Sequence, residues 1–272
     1  MPLPPSKPKP KQGRIEGINL TIRFVMTPSV SSEIKTKLQI TCQNCNLSDL
    51  CIPRGLSQKD VERISNIVAR RKILHKGDYL YRQGDKFRGI LAIKAGTAKL
   101  VSLDLDGNEF LTGYYLPGEL LGFDGLADER HACSALALET LTYCEIPAEQ
   151  IDSLCLEVPN LMRELFRHVG QALTAETGHH LLSQRGAEER VAGFLLDLSD
   201  RLSRRGLSGT EIKLTLSRLE IGKYLGLTLE SVSRILKNFE GMGFVTVNAK
   251  SIHILDKDKL RNVLTKSSAD DV

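Results

Sequence analysis

The sequence of 272 residues lacks the long apolar runs that would place it in a membrane. None of its apolar stretches approaches the eighteen or so residues that a membrane-spanning helix requires, and its first residues hold no apolar segment typical of a secretion signal. It also lacks a phosphate-binding loop, a nucleophile elbow and an HExxH motif, which are common signatures of enzymes. We therefore expect a cytoplasmic protein that is not an enzyme and has no membrane partner.

Strong charge of either sign is missing as well. The formal net charge of +4 permits a nucleic-acid partner but does not by itself predict one. Five of the ten prolines fall within residues 1–14, where every charged side chain is basic. Such a segment cannot build a core, so we expect residues 1–40 to form a disordered or irregular extension. With 41% hydrophobic residues, the chain can bury two modest cores or one large one.

The six cysteines do not predict a disulfide framework, because a cytosolic chain of this length folds without such cross-links. Three of them, Cys42, Cys45 and Cys51, are clustered with the spacing C-x2-C-x5-C, and the other three are scattered. Clustered cysteines indicate a metal centre. From the spacing alone, a zinc ion with four cysteine ligands and an iron–sulfur cluster are equally good interpretations.

The middle of the chain has turn-forming residues at the intervals typical of antiparallel β structure. Within residues 77–122, glycines recur at short intervals between short apolar stretches. Residues 101–105 alternate between apolar and polar side chains, and Asp106-Gly107 offers a tight turn before a second alternating run at residues 110–114. We therefore predict a small β domain that contains a hairpin with an acidic tip in solvent.

A helical period begins after Pro159 and runs without proline to about Ser183. One stripe of this segment advances in alternating steps of four and three residues, as in a coiled coil. The stripe comprises Met162, Phe166, Val169, Leu173, Glu176 and His180. We predict that the helix pairs with its counterpart in a second subunit through this stripe; packing against the chain's own β domain is the alternative. Glu176 would meet its own copy across a two-fold axis, where like charges oppose association unless the side chain turns outward or pairs with a base.

A helix-turn-helix is predicted at residues 217–242. Ser217 and Glu220 fit a capping box, in which a hydroxyl and a carboxylate satisfy the free backbone donors at a helix start. Gly226 suits the positive φ of a tight turn, and Thr228 then caps a second helix.

The second helix of this motif has two distinct faces. Its buried stripe is predicted to be Val232, Ile235, Leu236 and Phe239. Its polar face comprises Glu230, Ser233, Arg234 and Lys237. An arginine can bond two acceptors on guanine, a glutamate can accept from the amino group of cytosine, and a serine suits several base edges, whereas Lys237 suits a phosphate. The pattern predicts a helix that reads the major groove of double-stranded DNA; an ordinary solvated face is the alternative.

Two short β-like runs, at residues 244–247 and 251–255, follow the second helix. They predict a hairpin wing, which makes the C-terminal part a winged helix. The order of β domain, long helix and winged helix resembles the cyclic-AMP receptor protein superfamily of bacterial regulators. Four strings sharpen the resemblance to the oxygen-sensing fumarate and nitrate reduction regulator (FNR) group: CQNCNLSDLCIP, LETLTYCEIP, AEERVAGFLLDLS and IGKYLGLTLESVSRIL.

The resemblance spans roughly residues 41–256 and implies an α+β fold. That fold has an N-terminal cyclic-nucleotide-binding-like β-roll, a long dimerisation helix and a C-terminal winged helix-turn-helix. The implied division is an extension at 1–40, an iron–sulfur-cluster segment and β-roll sensor domain at 41–160, a dimerisation helix at 161–186, a winged helix-turn-helix DNA-binding domain at 187–260 and a tail at 261–272.

In the FNR group, three clustered cysteines and one distant cysteine hold a [4Fe-4S] cluster. The matching positions here are Cys42, Cys45, Cys51 and Cys144. Thiolates are the ligands that such clusters use. Cys133 and Cys155 match no ligand, and we expect them to be small buried apolar residues.

The resemblance also implies an oxygen-responsive transcription regulator. The chain would be a homodimer while the cluster is intact and would return to monomers when oxygen destroys it, so that DNA occupancy reports oxygen. Glu230, Ser233 and Arg234 would read a TTGAT-type half-site repeated with two-fold symmetry. Glu176 would keep the cluster-free dimer weak, and the hairpin at residues 104–109 would touch RNA polymerase.

Two features depart from the group or from its superfamily. His179 and His180 stand where the helix of the group is apolar, which puts the last contacts of the stripe in question. Cyclic-nucleotide binding needs an Arg-Ser pair and an acidic residue, but here Arg130 is followed by His131, and Phe123 stands near the position of the acid. We therefore expect no cyclic nucleotide. A DNA-binding regulator with a structural four-cysteine zinc site, or with a small-molecule effector in the β-roll, is the alternative function.

Overall fold

The computed structural model describes residues 42–70, 73–104 and 106–266. The expected N-terminal extension, Leu105 of the predicted hairpin and residues 267–272 of the predicted tail lie outside these residues. The strands are β1 (Ala69–Arg70), β2 (Tyr79–Tyr81), β3 (Gly89–Ala95), β4 (Ala98–Leu103), β5 (Glu109–Tyr115), β6 (Leu120–Leu121), β7 (Ser134–Ala137), β8 (Thr142–Pro147), β9 (Glu211–Lys213), β10 (Val245–Asn248) and β11 (Ser251–Ile254). The helices are α1 (Gln58–Ile67), α2 (Ala148–Glu157), α3 (Pro159–Ser183), α4 (Ala187–Ser203), α5 (Arg218–Leu225), α6 (Leu229–Gly241) and α7 (Lys257–Lys266), with short 3-10 turns at Cys42–Asn44 and Phe123–Gly125.

Two four-stranded antiparallel sheets build the β-roll, which confirms the predicted β domain. One sheet has the strand order β1-β8-β3-β6 and the other β2-β7-β4-β5. β3 lies inside the first sheet, and its first five residues are buried. Ala92 of β3 pairs with Cys144 of β8, and Cys144 also pairs with Arg70 of β1. The pairing holds the backbone of this distant cysteine in the middle of a sheet.

The predicted hairpin is formed by β4 and β5, with Leu103 opposite Glu109 at its end. At its tip the carboxylate of Asp104 accepts the backbone N–H groups of Asp106 and Asn108 at 2.9 and 2.8 Å. Simple alternation would bury Leu103, but this side chain is 51% exposed. The reason is that β7 accompanies only the first four residues of β4, so the end of the hairpin projects beyond the sheet.

The long helix α3 spans Pro159–Ser183, which agrees with the helical period of the sequence, whereas the implied dimerisation helix at 161–186 is placed two to three residues too far along the chain. Proline suits the first turn of a helix because its missing N–H would be unpaired there in any case. Leu161 in the first turn is fully buried, whereas residues 170–178 are all exposed. The helix is therefore anchored at its start and exposed along its middle, and it contacts α5 near its end through His179. Neither α3 nor any other helix in the described residues has the length and apolar character needed to cross a membrane.

The C-terminal unit contains two elements that the sequence did not predict. β9 pairs with β11, so the wing is a three-stranded sheet of order β10-β11-β9 rather than a simple hairpin. α7 packs against α4 and buries Leu260 completely. The predicted boundary between residues 260 and 261 falls inside this helix.

One apolar core joins the C-terminal unit to the edge of the β-roll. Its members from the β-roll are Leu111, Tyr114, Leu116 and Leu138, and they lie in the same cluster as the buried residues of α4, α5 and α6. A second core gathers α1, α2, the start of α3 and the segment that carries the clustered cysteines. The two units of the fold thus share buried surface.

Phe239 fills the centre of the C-terminal core and is 0% exposed, whereas Phe110 on the hairpin is 53% exposed. Phe239→Ala removes a buried ring and leaves a cavity, so we expect it to lower the free energy of unfolding by about 3–5 kcal/mol. Phe110→Ala is the matched control and should change it by less than about 0.5 kcal/mol. Urea denaturation followed by circular dichroism measures both. Equal losses would contradict this placement of the core.

Candidate functional site

Local capping builds the helix-turn-helix from α5 and α6. The hydroxyl of Ser217 accepts the backbone N–H of Glu220 at 3.2 Å, and the carboxylate of Glu220 accepts that of Ser217 at 2.8 Å. Gly226 ends α5 with φ of +63°. The hydroxyl of Thr228 then accepts the backbone N–H of Ser231 at 3.1 Å and starts α6. The capping box, the glycine turn and the second cap are all confirmed.

α6 has one buried and one exposed face. The buried side chains are the predicted Val232, Ile235, Leu236 and Phe239. The predicted DNA-reading side chains, Glu230, Ser233, Arg234 and Lys237, are all exposed. Their spacing of three and four residues brings them to the same side of the helix. This side presents a carboxylate, a hydroxyl and two cations, which are groups that pair with base edges and phosphates.

Arg190 of α4 holds the turn of this motif and was not predicted from the sequence. Its Nη1 donates to the backbone carbonyls of Leu225 and Gly226 at 2.9 and 3.2 Å. These are carbonyls that a helix leaves free at its C-terminal end. α4 and the turn therefore move as one body. The only sequence signal for Arg190 was its place in the string AEERVAGFLLDLS.

The four predicted metal ligands line one apolar pocket between the cysteine segment, residues 42–53, and the β-roll. They are Cys42, Cys45, Cys51 and Cys144. The rest of the wall is Ser48, Ile52, Pro53, Ile64, Val68, Ile90, Ala92, Glu145 and Ile146. The structure thus brings the distant cysteine to the three clustered ones. Cys133 and Cys155 are buried outside this pocket, as expected for structural residues.

Backbone hydrogen bonds hold the cysteine segment in consecutive turns against α1. The N–H of Cys42 donates to the hydroxyl of Ser65 at 3.1 Å, and the N–H of Cys51 donates to the carbonyl of Leu47 at 2.9 Å. Burial raises the pKa of the Cys51 thiol to about 12, and the other three thiols of the pocket add to this effect. Cys51 therefore stays neutral unless a cation compensates its charge.

The side chains of the four cysteines line the pocket but are not arranged around a single ion. In the described part of the chain, no three His, Cys, Asp or Glu side chains are arranged to hold a metal ion. A single zinc ion with Zn–S bonds of 2.3 Å needs its sulfurs about 3.8 Å apart. The four cysteines share a pocket, but this arrangement is not that of a formed single-ion site.

α3 packs one face on the cysteine segment. Leu161 and Leu165 contribute to the core that contains Cys51 and Ile52. His168, one turn further on, is 8% exposed and hydrogen-bonds to the backbone of Cys51. Burial, followed by the charge of the neighbouring arginine, lowers the pKa of His168 to about 4. A neutral imidazole of α3 thus contacts a predicted metal ligand.

Another face of α3 carries the predicted stripe. Its large apolar side chains Met162, Phe166 and Leu173 are 45%, 68% and 64% exposed, Val169 is half-buried, and Glu176 and His180 are exposed. Three large apolar side chains open to solvent on one helix are typical of an interface. His179 lies off the stripe, because its ring stacks on Tyr224 of α5 at 4.3 Å.

The interior of the β-roll near residues 118–134 is filled by its own side chains. The ring of His131 stacks on Tyr81 at 3.6 Å, and both contact the carboxylate of Asp124. That carboxylate also accepts the backbone N–H of Ala132 at 3.0 Å. Arg130 turns away and donates to the carbonyl of Gly84 at 2.8 Å. The carboxylate of Asp124 therefore already takes up the backbone N–H of Ala132 in this segment.

Comparison with known proteins places both units. Residues 71–157 match the cyclic nucleotide-binding domain family, and residues 189–263 match the Crp-like helix-turn-helix domain family. The chain is 41% identical over 229 residues to the transcriptional activator protein Anr of Pseudomonas protegens, covering 84% of this chain and 94% of that protein. It is 40% identical over 222 residues to the fumarate and nitrate reduction regulatory protein of Escherichia coli K12, covering 81% and 89%. Among solved structures, FixK2 from Bradyrhizobium japonicum has a TM-score of 0.66 at 26% identity, covering 72% of this chain and 96% of that one.

The chain therefore belongs to the FNR group of the cyclic-AMP receptor protein superfamily. It is a DNA-binding transcription regulator and not an enzyme. The family and the fold class expected from the sequence are both confirmed.

The raised pKa of Cys51 predicts a slow thiol in the metal-free, reduced protein. Because only the thiolate reacts, the alkylation rate of Cys51 with iodoacetamide at pH 8 should be more than a hundredfold below that of a free cysteine with its pKa of about 8.5. The rate should rise with pH up to about 12 and should become ordinary after unfolding in urea. Mass spectrometry of timed samples gives the rate at each cysteine. Equal rates for Cys51 in folded and unfolded protein at pH 8 would contradict its burial.

Proposed function

We propose that this FNR-group regulator binds a [4Fe-4S] cluster through Cys42, Cys45, Cys51 and Cys144 and responds to oxygen. It dimerises through the stripe of α3 while the cluster is intact and then binds a two-fold symmetric TTGAT-type site to control anaerobic gene expression. The observation that carries the proposal is the meeting of the four cysteines in one pocket against which α3 also packs. The relatives named as regulators of fumarate and nitrate reduction support it.

The pocket fits an iron–sulfur cluster in the chemistry of its ligands. Thiolates are the ligands of such clusters, and four are present. When bound, the cluster would supply an oxygen-sensitive group in the sensor domain. The rest of the wall is largely apolar and includes Ile52, Ile90 and Ile146, so it would surround the ligating sulfurs mostly with side chains that offer no hydrogen bonds.

Two faces of α3 couple the pocket to subunit association. Leu161 and His168 contact the cysteine segment, while Phe166 and Leu173 are exposed about 140° away around the helix axis. A change in the path of the cysteine segment therefore changes the position of the stripe, because packed faces of one rigid helix cannot move separately. Glu176 lies on the same stripe, where its copy across the two-fold axis opposes association and keeps the cluster-free dimer weak.

Dimerisation matters because each subunit presents one recognition helix. Two helices on one two-fold axis contact half-sites about 34 Å apart, one turn of DNA. The second contact is then intramolecular and raises affinity by about 10²–10⁴. On α6, Arg234 is assigned to a guanine, Glu230 to a cytosine amino group and Ser233 to a base edge, while Lys237 contacts a phosphate.

The projecting hairpin is the proposed contact for RNA polymerase. Leu103 and Phe110 are 51% and 53% exposed beside the acidic tip at Asp104. The two side chains lie on opposite faces of the hairpin, because Phe110 pairs with Ser102 and Leu103 pairs with Glu109. A projecting hairpin with exposed apolar side chains next to a charged tip suits contact with another protein. The relatives are named as activators, which accords with such a contact.

Removal of one cysteine tests the cofactor. Cys144→Ala should abolish the brown chromophore and most bound iron of anaerobically purified protein, because it deletes one of four ligands. Cys133→Ala is the control: it deletes a more deeply buried thiol that lies outside the pocket, and it should keep both the chromophore and the iron. Visible absorbance and iron analysis measure the result. Equal loss in both variants would overturn the ligand assignment, and a colourless wild-type protein with one bound zinc would overturn the cofactor.

Removal of Arg234 tests the reading of DNA. Arg234→Ala should weaken binding to the specific site by about 1–3 kcal/mol and relax discrimination at one base pair, because a bidentate contact to guanine is lost. Lys237→Ala should weaken binding to all sequences alike and reduce the salt slope by about 1, as a phosphate contact does. Fluorescence anisotropy on a set of single-base variants separates the two. A uniform loss for Arg234→Ala would make it a phosphate contact.

A further inference from the structure

A half-buried carboxylate at the edge of the β-roll is held by two arginines of the DNA-binding unit. Glu119 lies in the turn between β5 and β6, and its Oε2 accepts from Nη2 of Arg201 at 2.6 Å. Its Oε1 accepts from Nε of Arg201 at 3.0 Å and from Nη2 of Arg205 at 2.6 Å. Both oxygens are therefore used, and Arg201 binds in the bidentate way that fixes direction as well as distance.

The two arginines also donate hydrogen bonds to the backbone of the β-roll. Arg201 Nη2 donates to the carbonyl of Tyr114 at 2.6 Å, and Arg205 Nε donates to that of Pro117 at 2.7 Å. Their side chains are only 12% and 4% exposed, and that of Glu119 is 27% exposed. Burial alone would raise the pKa of Glu119, but the charges and hydrogen bonds of the two arginines outweigh it and hold that pKa below its usual value. We call Glu119, Arg201 and Arg205 the clasp.

A second set of contacts reaches the helix-turn-helix itself. Lys99 of β4 pairs with Glu220 at 2.9 Å, and Glu220 is the residue that completes the capping box of α5. The hydroxyl of Thr215, just before α5, lies 2.8 Å from that of Thr97 and 3.0 Å from that of Tyr114. The start of the first helix of the motif is thus attached to the same edge of the β-roll.

Charged contacts of this kind contribute orientation more than stability. The core that joins the two units is apolar and therefore non-directional. A buried ion pair often adds little net stability over an apolar replacement, because desolvation offsets its attraction. The forked geometry of a guanidinium on a carboxylate, however, tolerates little rotation. The clasp is the part of the interface that fixes the direction of α4, and the contacts of Lys99 and Thr215 do the same for the start of α5.

A small change in the angle between α4 and the β-roll produces a large displacement of the recognition helix at the DNA. Arg190, which holds the turn of the motif, and Arg201 lie on the same helix, about 16 Å apart at 1.5 Å per residue. A rotation of α4 by about 10° about the clasp moves the Arg190 end by about 3 Å. Successive base pairs are separated by about 3.4 Å. A rotation of this size in each subunit would therefore shift the recognition helices by a distance comparable to one base-pair step.

We propose that Glu119, Arg201 and Arg205 are positioning residues that set the separation of the two recognition helices and so select the spacing between half-sites. The inference rests on the proposed dimer, but not on the identity of the cofactor. It assigns specificity for spacing to residues that do not touch DNA.

The test is binding to two-fold sites whose half-sites stand at the optimal spacing or one base pair closer or further. Wild-type protein should lose about a hundredfold in affinity when the spacing changes by one base pair, because simultaneous engagement fails. Glu119→Gln keeps the size of the side chain and removes its charge. It should discriminate between the spacings by less than about tenfold, bind the optimal site more weakly and bind a single half-site unchanged.

Asp197→Asn is the matched control. Asp197 pairs with the same Arg201 at 3.1 Å, but its side chain is 54% exposed and lies on α4 itself, so the variant loses the same charge without releasing the β-roll. It should keep the wild-type preference for spacing. Arg205→Lys is a second variant, which keeps the charge but cannot donate to Glu119 and to the carbonyl of Pro117 from one planar group. It decides the matter if Glu119→Gln does not fold, and it should also relax the preference.

The outcomes separate the clasp from the proposed function. If the wild type prefers one spacing and both clasp variants keep that preference, the clasp has no positioning role. An equal relaxation in Asp197→Asn would likewise overturn the clasp, since any loss of charge near Arg201 would then suffice. If the wild type has no preference at all, the proposed two-fold binding fails, and the positioning role fails with it.

Discussion

Burial of the cysteine segment between the β-roll and α3 is the constraint on which the sensor half depends. Ile52 of this segment and Leu161 of α3 lie in one apolar core, and Cys51 is placed where its thiol resists ionisation. Thiolates in such a place need a compensating cation, so metal binding and the packing of the segment are one equilibrium. α3 is part of that packing. A change in the packing of the cysteine segment therefore acts directly on α3 and on its stripe, because α3 contacts the segment itself.

The DNA-binding half depends on one helix, α4, that contacts both the helix-turn-helix and the β-roll. α4 grips the turn of the helix-turn-helix through Arg190 near its start and the β-roll through Arg201 and Arg205 near its end. The caps fix the start of α5 and of α6. The contacts of α4 fix the orientation of this motif relative to the β-roll. In the proposed function, α3 carries the surface that binds a second subunit. α4 connects the β-roll to the turn of the helix-turn-helix.

Structural features that depend on a few neighbouring residues could be predicted from the sequence, whereas contacts between residues far apart in the chain could not. The turn at Gly226 was predicted because helix ends are specified locally. Asp256, whose carboxylate caps α7 at 3.0 Å, carried the same kind of signal and was overlooked. By contrast, Glu119 meets Arg201 across 82 positions. Cys144 was assigned to the clustered cysteines only through family resemblance, because spacing holds no information on which strands pair.

The central claim is that an oxygen-labile centre in the cysteine pocket controls association through α3. Sedimentation velocity on one anaerobic, iron-loaded sample, repeated after exposure to air, tests it most directly when iron content is measured in parallel. We predict a dimer before exposure and a monomer of 30.1 kDa afterwards, with loss of iron in the same proportion. An unchanged mass after the iron has been lost would contradict the claim.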